Sequence, residues 1–593
     1  TGEGEQSAPA RDPHIRPLFF GATLILSALA ALAMLVHKPA AETQSPIMLA
    51  KWFAARQDIP VVAGMILFFA LFGARARAIG NGVKSVLGTR QAVALLAGFA
   101  LIAWALRTLV LFDFDLSRDE KLVAFDIAIF TDGRLFAPIA SFWRDSYEAL
   151  NTLYTLPVGN REGWVSGYLP VNAALRALLG HALPAAAASP VQLLVAGLAL
   201  WRIALRLWPD SASTRTAVLL LFAGSSQVLL MATTAYAMTT HLAFNLVWLW
   251  LFLQRRPLAD GAALATGFLA TGIHQPLFHP LFAGPFLLWL LAERQWRRLA
   301  VYALGYGAIG LFWLGWPAWM SAQGLHPVPA ELDVAGVSFF DRLLRGAMPL
   351  TPNSLWLMGA NLLRFFAWQH LLLLPLVIAA LRLRQDRDPV CRALLLGIAG
   401  LIAVMTLILP MQVHGWGYRY LHGFIGSAVL VAGYGWHRLE RSVLAPHRAL
   451  RWATALSLLL VLPLHVWMAR SIIAPYAAAS AWLERAPAGI VIVDDGAAAF
   501  SLDLVLNRAD LSNRPILLSA SRLRPGSLPA LCRTHTIAFA DSDRLAPLDR
   551  VFGQLAAAGP SPRQSRLHDE AVRAGCRIVA IQEPVAPAAS GPS

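Results

Sequence analysis

Charge is scarce in this chain: Asp, Glu, Lys and Arg make up 14% of its 593 residues, where a soluble globular domain carries about 25%. That deficit, a mean hydropathy of +0.56 and repeated apolar runs of roughly 18 residues or more exclude an ordinary soluble protein and indicate a polytopic membrane protein. Cysteine is nearly absent as well. Cys391, Cys532 and Cys576 are too few for a disulfide scaffold, and no CxxC spacing suggests zinc. No P-loop, GxGxxG, HExxH or GxSxG motif stands where it would matter, and no internal repeat is visible. The net charge of +15 and the pI near 10.4 would suggest nucleic acid in a soluble protein. In a membrane protein, Lys and Arg in the cytoplasmic loops account for the excess. Nucleic acid is therefore not an expected partner.

What the chain does hold is hydrophobic helix. After a polar segment at 1–16, expected to be disordered, apolar runs fall near 17–36, 59–74, 91–112, 190–207, 214–232, 238–253, 261–275, 277–292, 299–318, 368–383, 392–410, 421–437 and 451–468. These predict about thirteen spans, with 261–275 and 277–292 short enough to be tilted or broken. The first run is too long for a signal-peptide core and lacks a small-residue cleavage site, so it is expected to be retained. The resulting plan is a mainly α transmembrane bundle with spans at 17–112 and 190–468, a loop at 113–189, and a tail at 469–593.

Basic residues orient it. The link after the second span holds Arg75, Arg77, Lys84 and Arg90 without an acid, which places it in the cytoplasm. Alternation brings the links at Arg206 and Arg215, Arg255 and Arg256, Arg294 to Arg298, Arg382 to Arg387, and Arg438 to Arg451 to the same side. The expectation is a multi-pass protein of the bacterial inner membrane with a cytoplasmic N-terminus. On the outer side would lie the 113–189 loop, turns around Tyr236 and His274 to His279, a loop at roughly 319–367, a turn at 411–420, and everything after about 469. In that tail, strand-length runs at 489–495, 514–519, 535–541 and 576–581 predict a small periplasmic α/β domain, ending in a loose tail at 582–593. Cys532 and Cys576 would there be either paired or two buried thiols.

Acids cluster abruptly in the first loop: Asp113, Asp115, Asp119, Glu120, Asp126, Asp132 and Asp145. Apolar residues at Leu122, Val123, Phe125, Ile127, Ile129 and Phe130 predict an amphipathic helix that ends at Asp132-Gly133 and lies along the membrane surface. The Asp119-Glu120 pair would then sit at the lipid–water boundary, where a carboxylate can deprotonate an acceptor hydroxyl attacking a lipid-linked donor. The plainer alternative is that these acids only keep the loop soluble.

The linker with Asp119-Glu120, followed by Gly133-Arg134-Leu135 and Ala137-Pro138, resembles the first outer loop of GT-C fold glycosyltransferases. That family includes the protein O-mannosyltransferases and the lipid A aminoarabinose transferase. Gly167-Tyr168-Leu169-Pro170 resembles a Tyr-x-Pro segment later in that loop, and the Gly-x-Arg-Tyr around Arg419 resembles a late family motif. The close match covers about 60 residues, and the acidic loop follows the third span here rather than the first, so two spans read as an N-terminal addition. The resemblance implies a polyprenyl-phosphate sugar donor, an Asp of the first outer loop as base, and cations on the donor phosphate. Asp119 is then the leading base, with Glu120 and Asp113 behind it.

Arg419, in a Gly- and Tyr-rich turn beside Tyr418, suits a phosphate; the alternative is an interfacial anchor. Arg107 in the third span either grips the phosphate or snorkels to the interface. Tyr236, His274, His279 and His414 gather at the ends of later spans, where imidazoles and a loop carboxylate would hold a divalent metal or simply bond to backbone and lipid phosphate. Glu331, Asp333, Asp341, Arg342, Arg345 and Arg364 add charge to the 319–367 loop without any telling spacing, and Asp494-Asp495-Gly496 closes a strand. The expected activity is sugar transfer from a polyprenyl-phosphate donor to a glycan, lipid or protein acceptor at the outer face. The alternatives are a transporter or flippase for lipid-linked saccharides, or a noncatalytic assembly factor.

Overall fold

The computed structural model describes residues 15–35, 46–74, 86–329, 352–382, 388–441, 447–540, 542–552 and 559–581. The expected disordered start up to residue 14, the tail at 582–593, Arg75, Arg77, Lys84, Arg384, Arg387, Glu331, Asp333, Asp341, Arg342 and Arg345 lie outside them.

Among the described residues, seven helices are long and apolar enough to cross a membrane: Pro17–Met34, Leu49–Phe72, Thr89–Val110, Ala185–Leu207, Trp296–Ser321, Pro389–Ile408 and His447–Glu484. Other expected spans are shorter or interrupted. The run at 214–232 is two helices, Ala212–Ala223 and Ser226–Met231. They part at Gly224, where a Cβ would come within 2.4 Å of the His370 ring, and Ser225 caps the second through Val228 N–H at 3.2 Å. The run at 421–437 opens with a 3₁₀ turn, Arg419–Phe424, before the helix Ile425–Arg441.

The expected outer loop at 319–367 needs correction. Its second half is a buried helix, Pro352–Ala367, followed after a break by Leu373–Arg382. Trp356 Nε1 donates to the Ala33 carbonyl at 2.9 Å and Arg382 to that of Pro17 at 3.1 Å. These carbonyls lie near opposite ends of the helix Ile15–Leu35, so the two short helices together run along its length. Arg364 points into the bundle and meets Asp58 at 3.1 Å, both fully buried. Asp58 ends a π-helical turn, Ala54–Asp58. Removing one member of a buried pair strands the other charge at a cost of about 3–5 kcal/mol. Asp58→Ala is expected to lower the thermal midpoint in detergent sharply, and adding Arg364→Met to restore most of it.

The helix His447–Glu484 has 38 residues, about 57 Å at 1.5 Å per residue, well beyond the ~30 Å hydrocarbon core. Its far end rises from the bundle's upper end and carries the C-terminal region. There β4 (Ile490–Val493) pairs in parallel with β5 (Ile516–Ser519) and β6 (Ile537–Ala540), in the order β5-β4-β6. Every residue of β4 is buried, as a parallel strand covered on both faces requires. The run at 576–581 contributes a single bridge, Ile537 to Ile578, instead of a strand.

Cys532 and Cys576 form a disulfide with Cα atoms 5.1 Å apart and a sequence separation of 44. Closing a loop of that length stabilises by about 4 kcal/mol in the chain-entropy picture. Replacing both by Ser should therefore shift denaturant unfolding of this region to clearly lower concentration, and reductant should reproduce the shift in the parent protein.

The 113–189 loop is folded. β1 (Ala137–Pro138), β2 (Thr155–Val158) and β3 (Gly163–Ser166) make an antiparallel sheet in the order β1-β3-β2. The helix Arg118–Thr131 forms where its apolar spacing predicts, but it does not lie on lipid. Phe125 and Ile129 pack with Trp164 of β3, while Val123, Ile127 and Phe130 meet Ala173 and Ala235. The apolar residues form two stripes, and protein covers both.

Candidate functional site

Ser117 starts the helix Arg118–Thr131 with a capping box: Glu120 N–H donates to Ser117 Oγ at 3.4 Å and Ser117 N–H to Glu120 Oε2 at 3.2 Å. That cap projects Asp119 from the first turn. Asp119 Oδ1 accepts from the Tyr168 hydroxyl at 2.6 Å, and Oδ2 from Arg419 Nη1 at 2.7 Å.

Tyr168 is fixed from three directions. Asp126, on the same helix as Asp119, accepts from Ser166 N–H at 3.0 Å, and Ser166 Oγ accepts from Tyr168 N–H at 3.1 Å. Backbone bonds from Leu169 to His274 and from Val171 to Gly272, each 3.0 Å, tie the segment to the turn between two later helices. The Tyr168 ring stacks on His274 with centroids 4.1 Å apart.

Arg419 follows a turn that needs glycine: Gly415 and Gly417 have φ of +127° and +64°, and a Cβ on Gly417 would meet the Gln227 side chain at 2.4 Å. Gln412 braces the turn, accepting from Arg419 N–H at 2.8 Å and donating to the Gly417 carbonyl at 2.9 Å. The guanidinium lies 5.1 Å from the ring centroids of both Tyr236 and Tyr420. Its Nη2 donates to the Tyr420 hydroxyl at 3.2 Å, while its Nε is buried with no hydrogen-bond partner among the described residues. One donor of the fork is thus unused.

Burial alone would raise the Asp119 carboxyl, but the Arg419 guanidinium and the Tyr168 hydroxyl hold it below the ordinary carboxylate range. Burial and the neighbouring Asp119 keep the Tyr168 phenol well above its ordinary value, so it stays a donor. Burial lowers His274 to about 4, leaving it neutral. Burial, then Asp115, raises Glu120 to about 7.

The other expected residues lie apart from this cluster. Glu120 is spent on the cap. Arg107 is committed to Asp113 at 2.5 Å, Asp115 at 3.0 Å and the Thr233 carbonyl at 3.0 Å, which occupies Asp113 as well. Arg134 is exposed past the opposite end of its helix. His279 is buried in the bundle, bonded to Asn245 at 2.8 Å and the Tyr306 hydroxyl at 2.7 Å. Tyr418 is buried behind the turn, its carbonyl accepting from Gln227 at 2.8 Å. His414 faces Asp503 at 3.6 Å. Among the described residues no three His, Cys, Asp or Glu side chains converge as a metal site would require. Asp494 and Asp495 are tied internally, to Ser561 N–H at 2.8 Å and to the Ser519 and Ser521 hydroxyls at 2.8 and 2.7 Å.

The sequence does not reveal that the C-terminal region packs on the loop that carries Asp119. Asp503 meets Arg118 at 3.3 Å, and its carbonyl accepts from Lys121 Nζ at 2.7 Å. The Leu502 carbonyl accepts from Arg118 at 2.6 Å and from Asn151 at 2.9 Å. This loop therefore rests on the residues flanking Asp119. Pairs so far apart in the chain leave no one-dimensional signal.

No family model and no curated protein matches the chain. Among solved structures, its fold is similar to the crystal structure of ArnT from Cupriavidus metallidurans in the apo state, with a TM-score of 0.45 and 14% identity over 72% of this chain and 85% of that one. It is similar also to ArnT from Cupriavidus metallidurans bound to undecaprenyl phosphate, with a TM-score of 0.48 and 13% identity over 72% of this chain and 86% of that one.

Proposed function

We propose that the chain is an integral-membrane glycosyltransferase that moves a sugar from a polyprenyl-phosphate donor to an acceptor hydroxyl at the outer face of the bacterial inner membrane. The observation that carries this reading is the Asp119 carboxylate, held between the Tyr168 hydroxyl and the Arg419 guanidinium at the upper end of an apolar bundle. The contact joins a base to a phosphate-binding cation and pairs them until a substrate separates them.

A donor phosphate competes with Asp119 for Arg419, whose buried Nε has a donor to spare. Once the guanidinium turns to the phosphate, Asp119 loses its strongest counter-charge and becomes a better proton acceptor. The acceptor oxygen then attacks the anomeric carbon as Asp119 takes its proton. The bond from that carbon to the phosphate oxygen breaks, and Arg419 stabilises the charge left on the polyprenyl phosphate. Tyr168 keeps the carboxylate aligned throughout. Inversion at the anomeric carbon is what the sequence resemblance implies.

One observation favours a transporter of lipid-linked saccharides instead: the Asp58–Arg364 pair inside the bundle. Reconstitution separates the two. Purified protein in vesicles, given labelled polyprenyl-phosphate sugar and membrane-derived acceptors, is expected to yield labelled product. Translocation of the donor with no product would overturn the proposal.

A further inference from the structure

A second site lies in the seam between the 113–189 loop and the C-terminal region. The cavity there measures about 630 Å³, within the ~300–1,000 Å³ range of small-ligand sites. It is lined by Asp113 and Asp115, by the end of the long helix near Glu484, and by the 504–517 segment.

Its charges cancel. Asp113, Asp115 and Glu484 stand against Lys121, Arg508 and Arg514. Most of these are already engaged: the two aspartates share Arg107, and Lys121 is bound by the Asp503 carbonyl. The two arginines are exposed. The Arg508 guanidinium makes no hydrogen bond among the described residues, and Arg514 uses only Nη1, on the Leu511 and Asn513 carbonyls at 3.1 and 2.7 Å. A polyanion would meet three carboxylates, and a lipid tail would strand the charges without partners. Guanidinium donors and carboxylate acceptors in one cavity, with the Phe114 ring among its lining residues, suit a neutral ligand rich in hydroxyls.

Position adds a second argument. Asp113 directly follows exposed Leu109 and Phe112 at the upper end of the helix Thr89–Val110. Arg470 lies over the Phe112 ring at 4.8 Å and donates to the Val110 carbonyl, as a headgroup-level anchor does. The cleft therefore opens at the membrane edge. It also shares a wall with the Asp119 site, because Asp503 holds Lys121 on one side and Arg118 on the other.

We propose that this cleft holds the neutral saccharide portion of a membrane-anchored acceptor, an assignment that rests on the transfer reading above. The test uses full-length protein in nanodiscs, fluorescently labelled and passed over a printed array of neutral, sulfated and phosphorylated glycans. The wild type is expected to retain neutral oligosaccharides. The Arg508→Ala/Arg514→Ala variant, checked for unchanged thermal unfolding, is expected to lose at least tenfold of that signal, and Asp119→Asn to keep it. Retention of only charged glycans, of none, or equal retention by the double variant would overturn the proposal. Should the wild type retain neutral glycans yet form no product from labelled donor, the transfer reading fails while the cleft stands as a saccharide site; transfer by Asp119→Asn would remove only the role of Asp119 as base.

Discussion

Asp119→Asn is expected to lower kcat for sugar transfer by about 100- to 10,000-fold, the usual worth of a general base, with donor KM unchanged or lower. Asn keeps the size of the side chain and an oxygen for the Tyr168 hydroxyl, but it cannot take a proton. It also leaves the Arg419 cation without its 2.7 Å counter-ion, free to bind an anionic donor more tightly. Glu120→Gln is the control. Its carboxylate is tied to Ser117 in the helix cap, so the loss should be near 1 kcal/mol of stability and little of kcat. A large kcat effect at Glu120 with none at Asp119 would exchange the two roles. Single-turnover transfer from labelled donor separates these outcomes.

Arg419→Ala carries the second large effect. Loss of a preorganised charge on the leaving phosphate costs about 100- to 1,000-fold in kcat, and donor KM should rise with it. The pH profile adds a readout that a folding defect would not produce. In the parent protein Arg419 opposes the rise that burial imposes on the Asp119 carboxyl. The base must be ionised to act, so activity falls as pH drops through its pKa. Removing the cation raises that pKa, and the acid limb of kcat/KM should move to higher pH. Arg419→Lys retains the charge but not the planar fork. It should keep the limb near its parent position while still losing much of the rate.

The bundle was legible because long apolar runs have few alternatives to helix. Pro352–Ala367 escaped because Asn361 and Arg364 break its apolar run, although Arg364 has its own buried partner in Asp58. The helix after Asp119 was legible as a helix but not as to what covers it, since apolar stripes suit protein and lipid alike. Asp119 and Arg419 could each be singled out from local chemistry. Their contact spans 300 residues of sequence, and only the folded chain shows that each is the other's partner. Histidines were least informative: His274 and His279 lie five positions apart, yet one stacks on Tyr168 and the other is sealed between Asn245 and Tyr306. Neighbouring imidazoles in a membrane bundle report burial as readily as chemistry.

The central claim is that a lipid-linked phosphate takes the place of Asp119 on Arg419. A cryo-EM map of the protein in nanodiscs with a polyprenyl phosphate tests it most directly. The account predicts phosphate density within hydrogen-bonding distance of the Arg419 guanidinium, with the 2.7 Å contact to Asp119 opened and the carboxylate still on Tyr168. Phosphate bound elsewhere, with the Asp119–Arg419 pair intact, would contradict it.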